Sequence, residues 1–548
     1  MAEEESLPVA EKAEEQPSEV EAAKESVEEQ AKVDTPSKRS KAKSQALKKK
    51  LTAFLEEEIV ATEDLERTLY SHDTAPIPKL LELGFNMSPD VIVKPKTIDD
   101  VVAVVKFARK NDIPIVPRGT STWALGGSVP VRGGIMLDMN HMNEYYLDED
   151  NFCVVAGAGA TWKKVYDYCL RKGYLLGAYP SSALGSTVGG WVNTGGIGIG
   201  SYKYGGAYEQ VRSLEVVLPN GEIMDTGSRA TVSNQSGYNF NGLFVGSEGT
   251  LGIVTRATLK LYPAPEEFRP ITYAHDDMQN LAKAIFQITR EKVRPLHMGF
   301  VDKRHLDAIK ALGKSPPSGN ALLNVCLEGS KADNDRDEEI LTEAASKFTG
   351  KKLSDKIAEH EWEERFYEFR TKRLGPSFIT SSIFVPTPRF PEVIERVEEL
   401  GASMKVNLAI TGVVPDRSTV DYMPYFLTDE RKMTFILTTA FTKKLSDIAF
   451  KHNGSSAGLG VWMANNLPKY SKNNARAMYD IKAGIDPYDI MNPGKLVEIG
   501  TRFGLPIPPI AMNVGMDAFA VLKGLMPHDK MPEVMMKDQP KRSLLSRK

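Results

Sequence analysis

"VPRGTSTWALGGSVP", residues 116–130, follows directly on the apolar run that begins at Ile113. The stretch offers one arginine, three glycines and four hydroxyls, and little side chain from which to build a core. Peptide N–H groups can surround a pyrophosphate only where no Cβ intervenes and where φ is free to turn positive. Arg118, Gly119, Thr120, Ser121 and Thr122 combine such N–H groups with hydroxyl donors and a cation. Taken alone, the stretch reads equally as a Gly-rich surface turn. It also departs from the dinucleotide fingerprint, because no G-x-G-x-x-G opens a helix after the first strand.

The flanks give the loop a frame. "DVIVKP" reads as a short strand. "TIDDVVAVVKFARKND" follows, with Thr97 as N-cap, acids in the first turn, and Ile98, Val101, Val102 and Val105 on one helical face. "IPIV" is a second strand, so strand, helix and strand form a βαβ unit with the Gly loop at the exit of a parallel strand. Glycines stay dense to about residue 252, between β-like runs such as "GGIMLDM", "FCVVAGAGA" and "TRATLKLYP". "LPNGE" marks a hairpin, since Asn-Gly suits the mirror-image turn. After Pro263 the texture changes to strands alternating with amphipathic helices such as "DMQNLAKAIFQITREK". The chain therefore divides into a charged tail over 1–50, a helical lead-in over 51–87, a first folded domain over 88–264, a second over 265–498, and a C-terminal extension over 499–548.

Composition narrows the function classes. The chain has 548 residues, 41 % of them hydrophobic and 26 % charged, an ordinary globular balance with room for two or three domains. A formal net charge of −3 gives no electrostatic case for nucleic acid. Three cysteines, none in a C-x-x-C pair, exclude an iron–sulfur cluster or Cys-rich zinc site within this chain and suit a reducing compartment. No apolar run reaches the roughly 20 residues of a membrane span, and the Glu-rich N-terminus has no signal-peptide core. The expectation is a cytoplasmic protein, with peripheral contact at the inner membrane face as the alternative. The tail over 1–50, an acidic block followed by "KRSKAKSQALKKK", has too little apolar surface to bury and reads as disordered.

Two further low-Cβ segments follow: "YPSSALGSTVGGWVNTGGIGIGSYKYGG", residues 179–206, and "LFVGSEGTLGIVT", residues 243–255. Far downstream comes "DPYDIMNPGK", residues 486–495. In this order the four segments resemble the FAD-linked oxidases of the vanillyl-alcohol oxidase/p-cresol methylhydroxylase (PCMH) superfamily. The likeness is greatest to the branch of D-lactate dehydrogenases, glycolate oxidase flavin subunits and D-2-hydroxyglutarate dehydrogenases, and it covers roughly residues 60–498. The resemblance implies an α+β fold: a PCMH-type FAD-binding domain of two α+β subdomains, plus an α/β, ferredoxin-like substrate domain capping the flavin. It places Arg118 to Thr122 at the FAD pyrophosphate. Pro180, Ser181, Gly185, Ser186, Thr187, Gly190 and Gly196 would run along the ribityl chain and flavin. Gly249, Gly252 and Ile253 would complete the adenine and pyrophosphate wall, with Asn492 near the flavin ring. Several relatives attach flavin through a His in the first loop; "RGTSTW" has neither His nor Cys, so FAD is expected to be non-covalent, a Tyr linkage remaining open.

The other half of the pattern is missing. Oxidising a 2-hydroxy acid needs a flavin beside the Cα–H, a group that takes the hydroxyl proton and a cation for the carboxylate. The hydroxyacid branch supplies two His-rich stretches resembling G-H-x-G-D-G-N-x-H and G-E-H-G-I-G, which bind a divalent metal in some members. Here "LAITGVVPDRSTVDYMPYF" has no histidine, and "SSAGLGVW" has Ser456 and Ala457 in place of Glu and His. No metal is expected. "WEERFYEFRTKR" resembles the family's W-x-x-R-E segment, in which an Arg binds substrate carboxylate, and Arg370 is taken as the match; the alternative is a helix-surface Arg in salt bridges. His452 is a candidate displaced base, or a helix cap. Tyr422 and Tyr425 are candidate phenolic acid/bases, or core aromatics. Arg417 and Asp421 occupy the same altered stretch.

The resemblance implies an FAD-dependent dehydrogenase or oxidase acting on a CH–OH group of a small hydroxylated acid, with D-lactate or glycolate as the family default. With no cluster or haem motif in the chain, electrons need an external acceptor: an Fe–S subunit, an electron-transfer flavoprotein or a quinone. The alternatives are a flavoprotein electron-transfer or binding subunit whose hydroxyacid site is lost, and an alcohol or phenol oxidase with a different base. "IAMNVGMDAFAVLKGLMP" reads either as a docking element for the acceptor or as a helix packed on its own domain.

Overall fold

A computed structural model describes residues 38–76, 78, 84–231, 237–461, 463–470 and 472–527. Residues 1–37 and the basic end "KRSLLSRK" lie outside the described residues. Over residues 38–50 the disorder expected for 1–50 is corrected: Lys38–Leu51 forms a helix, α1. Leu47 and Leu51, one turn apart, seat in the core beneath it, and Lys43 pairs with Asp90 at 2.7 Å. The lysine run is the outer face of a docked helix.

The first subdomain is a four-stranded sheet in the order β1-β2-β4-β3, from β1 (Val60–Ala61), β2 (Val91–Val93), β3 (Ile115–Arg118) and β4 (Ile135–Asp138). β2, β4 and β3 run parallel. The crossover helix α2 (Ile98–Asn111) carries the expected capping box at Thr97 and Asp100 and buries Val101, Val104, Val105 and Ala108. β3 ends at Arg118, so the Gly loop leaves the C-terminal edge of a parallel strand, where such sheets bind ligands.

The second subdomain is antiparallel. Its path is β5-β6-β10-β8-β9, built from β5 (Tyr145–Asp148), β6 (Cys153–Gly157), β8 (Val211–Val217), β9 (Ile223–Asp225) and the long β10 (Ile253–Pro263). β7 (Tyr174–Leu176) also pairs with β10. The expected hairpin is present, with Gly221 N donating to Leu218 O at 2.8 Å between β8 and β9. Helices α3 (Trp162–Arg171) and α4 (Val188–Asn193) pack on this sheet through Trp162, Val165, Val188 and Val192.

The third unit is one antiparallel sheet in the order β14-β11-β13-β12-β17-β18-β16-β19, with β15 (Ser377–Thr380) also on β18. Its strands are β11 (Glu267–His275), β12 (His297–Asp302), β13 (Ala321–Gly329), β14 (Lys351–Lys352), β16 (Ile383–Pro386), β17 (Ala409–Val413), β18 (Thr419–Thr428) and β19 (Ser455–Ser456). Side chains alternate across a strand. Tyr273, Leu323, Val325, Met298, Phe300, Ile410 and Tyr422 therefore face one way, into a core closed by α5 (Met278–Arg290), α7 (Lys331–Ser346), α9 (Phe390–Met404) and α10 (Ala440–Lys451). α6 (Lys303–Ala311) follows β12 directly, and α8 (Asp355–Glu363) packs beside β11. The other face of the sheet is turned toward the glycine-rich segments and forms the ceiling of the site.

The C-terminal extension begins with a short hairpin and ends in α11 (Pro509–Leu525). α11 packs on the third unit through Met512, Met516 and Phe519, the helix-on-its-own-domain arrangement. Its outer face exposes Ile510, Val514, Val521 and Leu525. No described helix is long and apolar enough to cross a membrane.

Candidate functional site

The three glycine-rich segments converge. Arg118, Gly119, Thr120, Ser121, Thr122, Pro180, Ser181, Ser186, Thr187, Gly190, Gly196, Gly249 and Gly252 all line one cavity of about 390 Å³ beneath the ceiling sheet. Gly185 lies in a turn just behind, with its N–H on Ser182 O at 3.0 Å. Ile253 does not reach the cavity; it is buried in the core at the start of β10. Asn492 does not line it either. Its Nδ2 donates to Gly127 O at 3.0 Å and to Glu248 O at 2.7 Å, so it ties the first and third segments together from behind.

The glycines of the floor let its segments pack closely on one another. A Cβ on Gly119 would overlap Thr187 Oγ1, and one on Gly249, at φ +71°, would come within 2.5 Å of Pro117 Cγ. Ser121 holds φ +55°, a costly conformation for a non-glycine residue. Its hydroxyl is fixed on Ser128 Oγ at 2.7 Å. Among the described residues the N–H groups of residues 120–123 donate to no protein acceptor. Ser186 Oγ, Trp191 Nε1 and Glu248 Oε2 are buried without hydrogen-bond partners in the protein. Such groups are costly unless something satisfies them. Donors, hydroxyls and the Arg118 cation in one trough fit a diphosphate-linked nucleotide.

Charge beneath the floor is balanced internally. Arg118 Nη1 donates to His72 O at 2.9 Å, and its guanidinium lies 5.0 Å from the centre of the Tyr70 ring. Burial lowers its pKa, and Asp73 opposes that shift. Asp73, at the cavity wall, is pushed up to about 6 by burial, although the N–H groups of Ala75 and Gly126 bond its carboxylate. Burial likewise raises Glu248, whose Oε1 accepts from Gly460 N at 3.0 Å, and lowers Lys495 to about 7. Lys495 donates to Asn492 Oδ1.

The ceiling and one side wall carry the polar chemistry. From the last turn of α8 comes Trp362, and from the segment after it Glu364, Arg365 and Arg370; all four line the cavity. Arg370 is neutralised by an ion pair with Glu364. Burial lowers its pKa, with Glu361 pulling the other way. Arg365 has no carboxylate partner among the described residues. Its guanidinium lies 4.1 Å from the centre of the Trp362 ring and 4.2 Å from that of Phe366. Nε donates to Tyr179 Oη at 3.3 Å and Nη1 to Trp362 O at 2.6 Å. Trp362-x-x-Arg365 is itself a literal W-x-x-R, so the same segment also offers Arg365. Glu361 also lines the cavity, and burial raises its pKa.

Two proposed catalytic side chains are elsewhere. His452 caps the C-terminus of α10, with Nδ1 on Ile448 O at 2.8 Å and Nε2 3.3 Å from Glu392. It lies outside the cavity lining. Tyr422 is fully buried on the opposite face of β18 from Asp421 and Met423, both of which line the cavity. Its ring packs on Phe390, with centres 5.3 Å apart. Tyr425 is also buried and meets His305 Nδ1 at 2.9 Å. Arg417 is structural, donating to the carbonyls of Thr289, Glu291 and Val293. In place of these the cavity presents His297 and His305, which no motif signalled. Burial holds both imidazoles uncharged at neutral pH, His297 near pKa 3 and His305 near 4. Among the described residues no three His, Cys, Asp or Glu side chains gather as a metal-ligand set.

Comparison with known proteins fits this geometry. The family model described as "FAD binding domain" matches residues 89–227, and "FAD linked oxidases, C-terminal domain" matches residues 264–496. Glycolate oxidase subunit GlcD of Bacillus subtilis is 30 % identical over 447 residues, 78 % of this chain and 92 % of that protein. A D-lactate dehydrogenase of Archaeoglobus fulgidus is 29 % identical over 416 residues, 74 % of this chain and 91 % of that one. Among solved structures, substrate-bound p-cresol methylhydroxylase superposes with a TM-score of 0.72 at 18 % identity, over 83 % of this chain and 97 % of that one. An alkyldihydroxyacetonephosphate synthase gives 0.66 at 20 %, covering 81 % and 84 %.

Proposed function

The chain belongs to the FAD-linked oxidases, an FAD-binding family of oxidoreductases, and on that premise we propose that it oxidises the CH–OH group of a small hydroxylated acid. D-Lactate and glycolate are the first substrates to try. The observation that carries this reading is Arg365. It is a guanidinium seated over two aromatic rings, lining the cavity, and matched by no carboxylate of the protein among the described residues. A planar, permanently charged fork in a partly desolvated wall is suited to bidentate capture of a carboxylate. Arg370, already paired with Glu364, supplies a second, weaker field of the same sign.

FAD supplies the two-electron oxidant when bound. The residues that would hold its diphosphate are Arg118 to Thr122, with Ser186, Thr187, Gly190 and Gly196 lining the trough beside them. The protein's own work is to fix the substrate anion on Arg365, keep bulk water out with Trp362, Phe369 and Phe384, and turn the hydroxyl-bearing carbon toward the floor. The lining contributed by residues 118–123 contains no His, Cys or Tyr, which supports a non-covalent flavin. Electrons leave to a separate acceptor: an Fe–S subunit, an electron-transfer flavoprotein or a quinone. The setting is the cytoplasm or the inner membrane face.

The test is anaerobic addition of D-lactate, glycolate, further 2-hydroxy acids and simple alcohols to the FAD-loaded protein. Bleaching of the visible flavin absorbance by at least one 2-hydroxy acid is expected. Bleaching by alcohols alone assigns an alcohol oxidase. No bleaching by any of them, with normal photoreduction, assigns an electron-transfer subunit.

A further inference from the structure

Arg365 accounts for a carboxylate but leaves the hydroxyl proton with nowhere to go, and neither His452 nor Tyr422 reaches the cavity. Among the ceiling side chains that do are His297, His305 and Asp421, and of these His297 alone has no hydrogen-bond partner among the described residues. His297 opens β12 opposite Cys326 of β13, and two residues along the same face Gly299 stands between Asn324 and Val413. Gly299 leaves a gap in that face. A Cβ there would meet His297 Nε2 at 3.0 Å, so the imidazole leans over the gap.

The ring is 9 % exposed, and among the described residues nothing hydrogen-bonds it. Other histidines of the protein are tied down: His305 by Tyr425, His275 by Phe348 O, His452 by Ile448 O. A nearly buried imidazole that lines a cavity and that no protein group holds is free to meet a ligand there. Its position also matches the substrate. The His297 ring centre is 6.2 Å from that of Trp362, on whose face the Arg365 guanidinium rests. His297 and Arg365 both line the cavity and both border Trp362, and the guanidinium is close enough to lower the pKa of the imidazole. Burial first, and Arg365 second, keep His297 unprotonated in the free protein. A carboxylate lying on Arg365 offsets that repulsion when the ring takes up charge.

We propose that His297 takes the hydroxyl proton of the substrate whose carboxylate Arg365 holds, in the gap left by Gly299. This rests on the hydroxy-acid reading above. The O–H bond breaks and its proton passes to an imidazole nitrogen. The Cα–H bond breaks and its hydrogen leaves with both electrons to the oxidant, FAD. The carbon–oxygen double bond forms, the carboxylate is unchanged, and the proton passes to water when the 2-oxo acid departs.

The experiment uses FAD-loaded wild type, His297→Gln and Gly299→Ala. Two readouts are taken: binding of oxalate, an unreactive anion, followed by the flavin difference spectrum, and anaerobic flavin reduction by D-lactate or glycolate. For His297→Gln, oxalate binding within about threefold of wild type is expected, with reduction slowed at least about 100-fold. Gly299→Ala keeps the imidazole but fills the gap, and it is expected to weaken oxalate binding at least about tenfold. Reduction of His297→Gln within about threefold of wild type overturns the proposal, as does unchanged oxalate binding in Gly299→Ala. A wild type that binds oxalate but is bleached by no hydroxy acid instead overturns the hydroxy-acid reading, and the proposal with it.

Discussion

Thr187 Oγ1 stands where a Cβ on Gly119 would have to be. The threonine cannot simply turn away, because the same oxygen caps α4 by accepting from Gly190 N at 3.3 Å. Gly119→Ala must therefore break the cap or lift the loop, at a cost of about 1–3 kcal/mol. The flavin content of purified Gly119→Ala is expected to fall well below one per chain. Gly185→Ala is the control, since its Cβ would meet only Thr122 Cγ2 at 3.8 Å. It is expected to retain flavin, and equal loss in both variants would contradict the close-approach account.

Arg365→Met is expected to weaken oxalate or D-lactate binding about 10- to 100-fold, the worth of a lost charged hydrogen bond, with flavin content unchanged. Arg370→Met removes a charge already matched by Glu364, so its effect belongs in the melting temperature. If titration of the flavin spectrum shows the larger binding loss in Arg370→Met, the carboxylate belongs to Arg370.

Stability is expected to fall on acidification. Burial holds His305 near pKa 4, below the ordinary 6.5 of a free imidazole. Between those values the unfolded chain binds more protons than the folded one. The His305 contribution is thus complete above pH 6.5 and is lost as pH falls toward 4, by about 1.4 kcal/mol per pH unit. His297 acts in the same direction, whereas Asp73, raised to about 6, acts oppositely. Comparing wild type with His305→Gln by urea unfolding at pH 7, 6 and 5 isolates the effect. A variant that loses stability as steeply as wild type would contradict it.

Acid precipitation is expected to release all the yellow colour into the supernatant. A coloured pellet would mean a covalent bond, and Tyr367, which lines the cavity, is then the residue to examine by mass spectrometry.

The binding floor was legible because its signal is local. Peptide amides that must face a ligand exclude Cβ atoms over consecutive residues, and that leaves glycine and hydroxyl runs such as 116–130 and 179–206 in plain view. The catalytic ceiling was not, because it depends on which face of a strand looks inward. Asp421 and Tyr422 are adjacent in sequence and opposite in space, and only the pairing of β18 with β16 and β17 decides between them. His297 carries no motif; the role proposed for it rests on Gly299 and on neighbours more than 60 residues downstream. Arg365 stands at the literal W-x-x-R spacing from Trp362, and Arg370, five residues further on, lies in the same segment. α1 was hidden for another reason: two leucines among lysines look like a solvated tail until the sheet that receives Leu47 and Leu51 is present.

The most direct test of the account compares two substrates that differ in the group Arg365 is said to hold. Anaerobic flavin bleaching by D-lactate is measured beside bleaching by propane-1,2-diol, which keeps the secondary alcohol and lacks the carboxylate. The account predicts rapid bleaching by the acid and none by the diol at the same concentration. Equal bleaching by both, or by the diol alone, would contradict it.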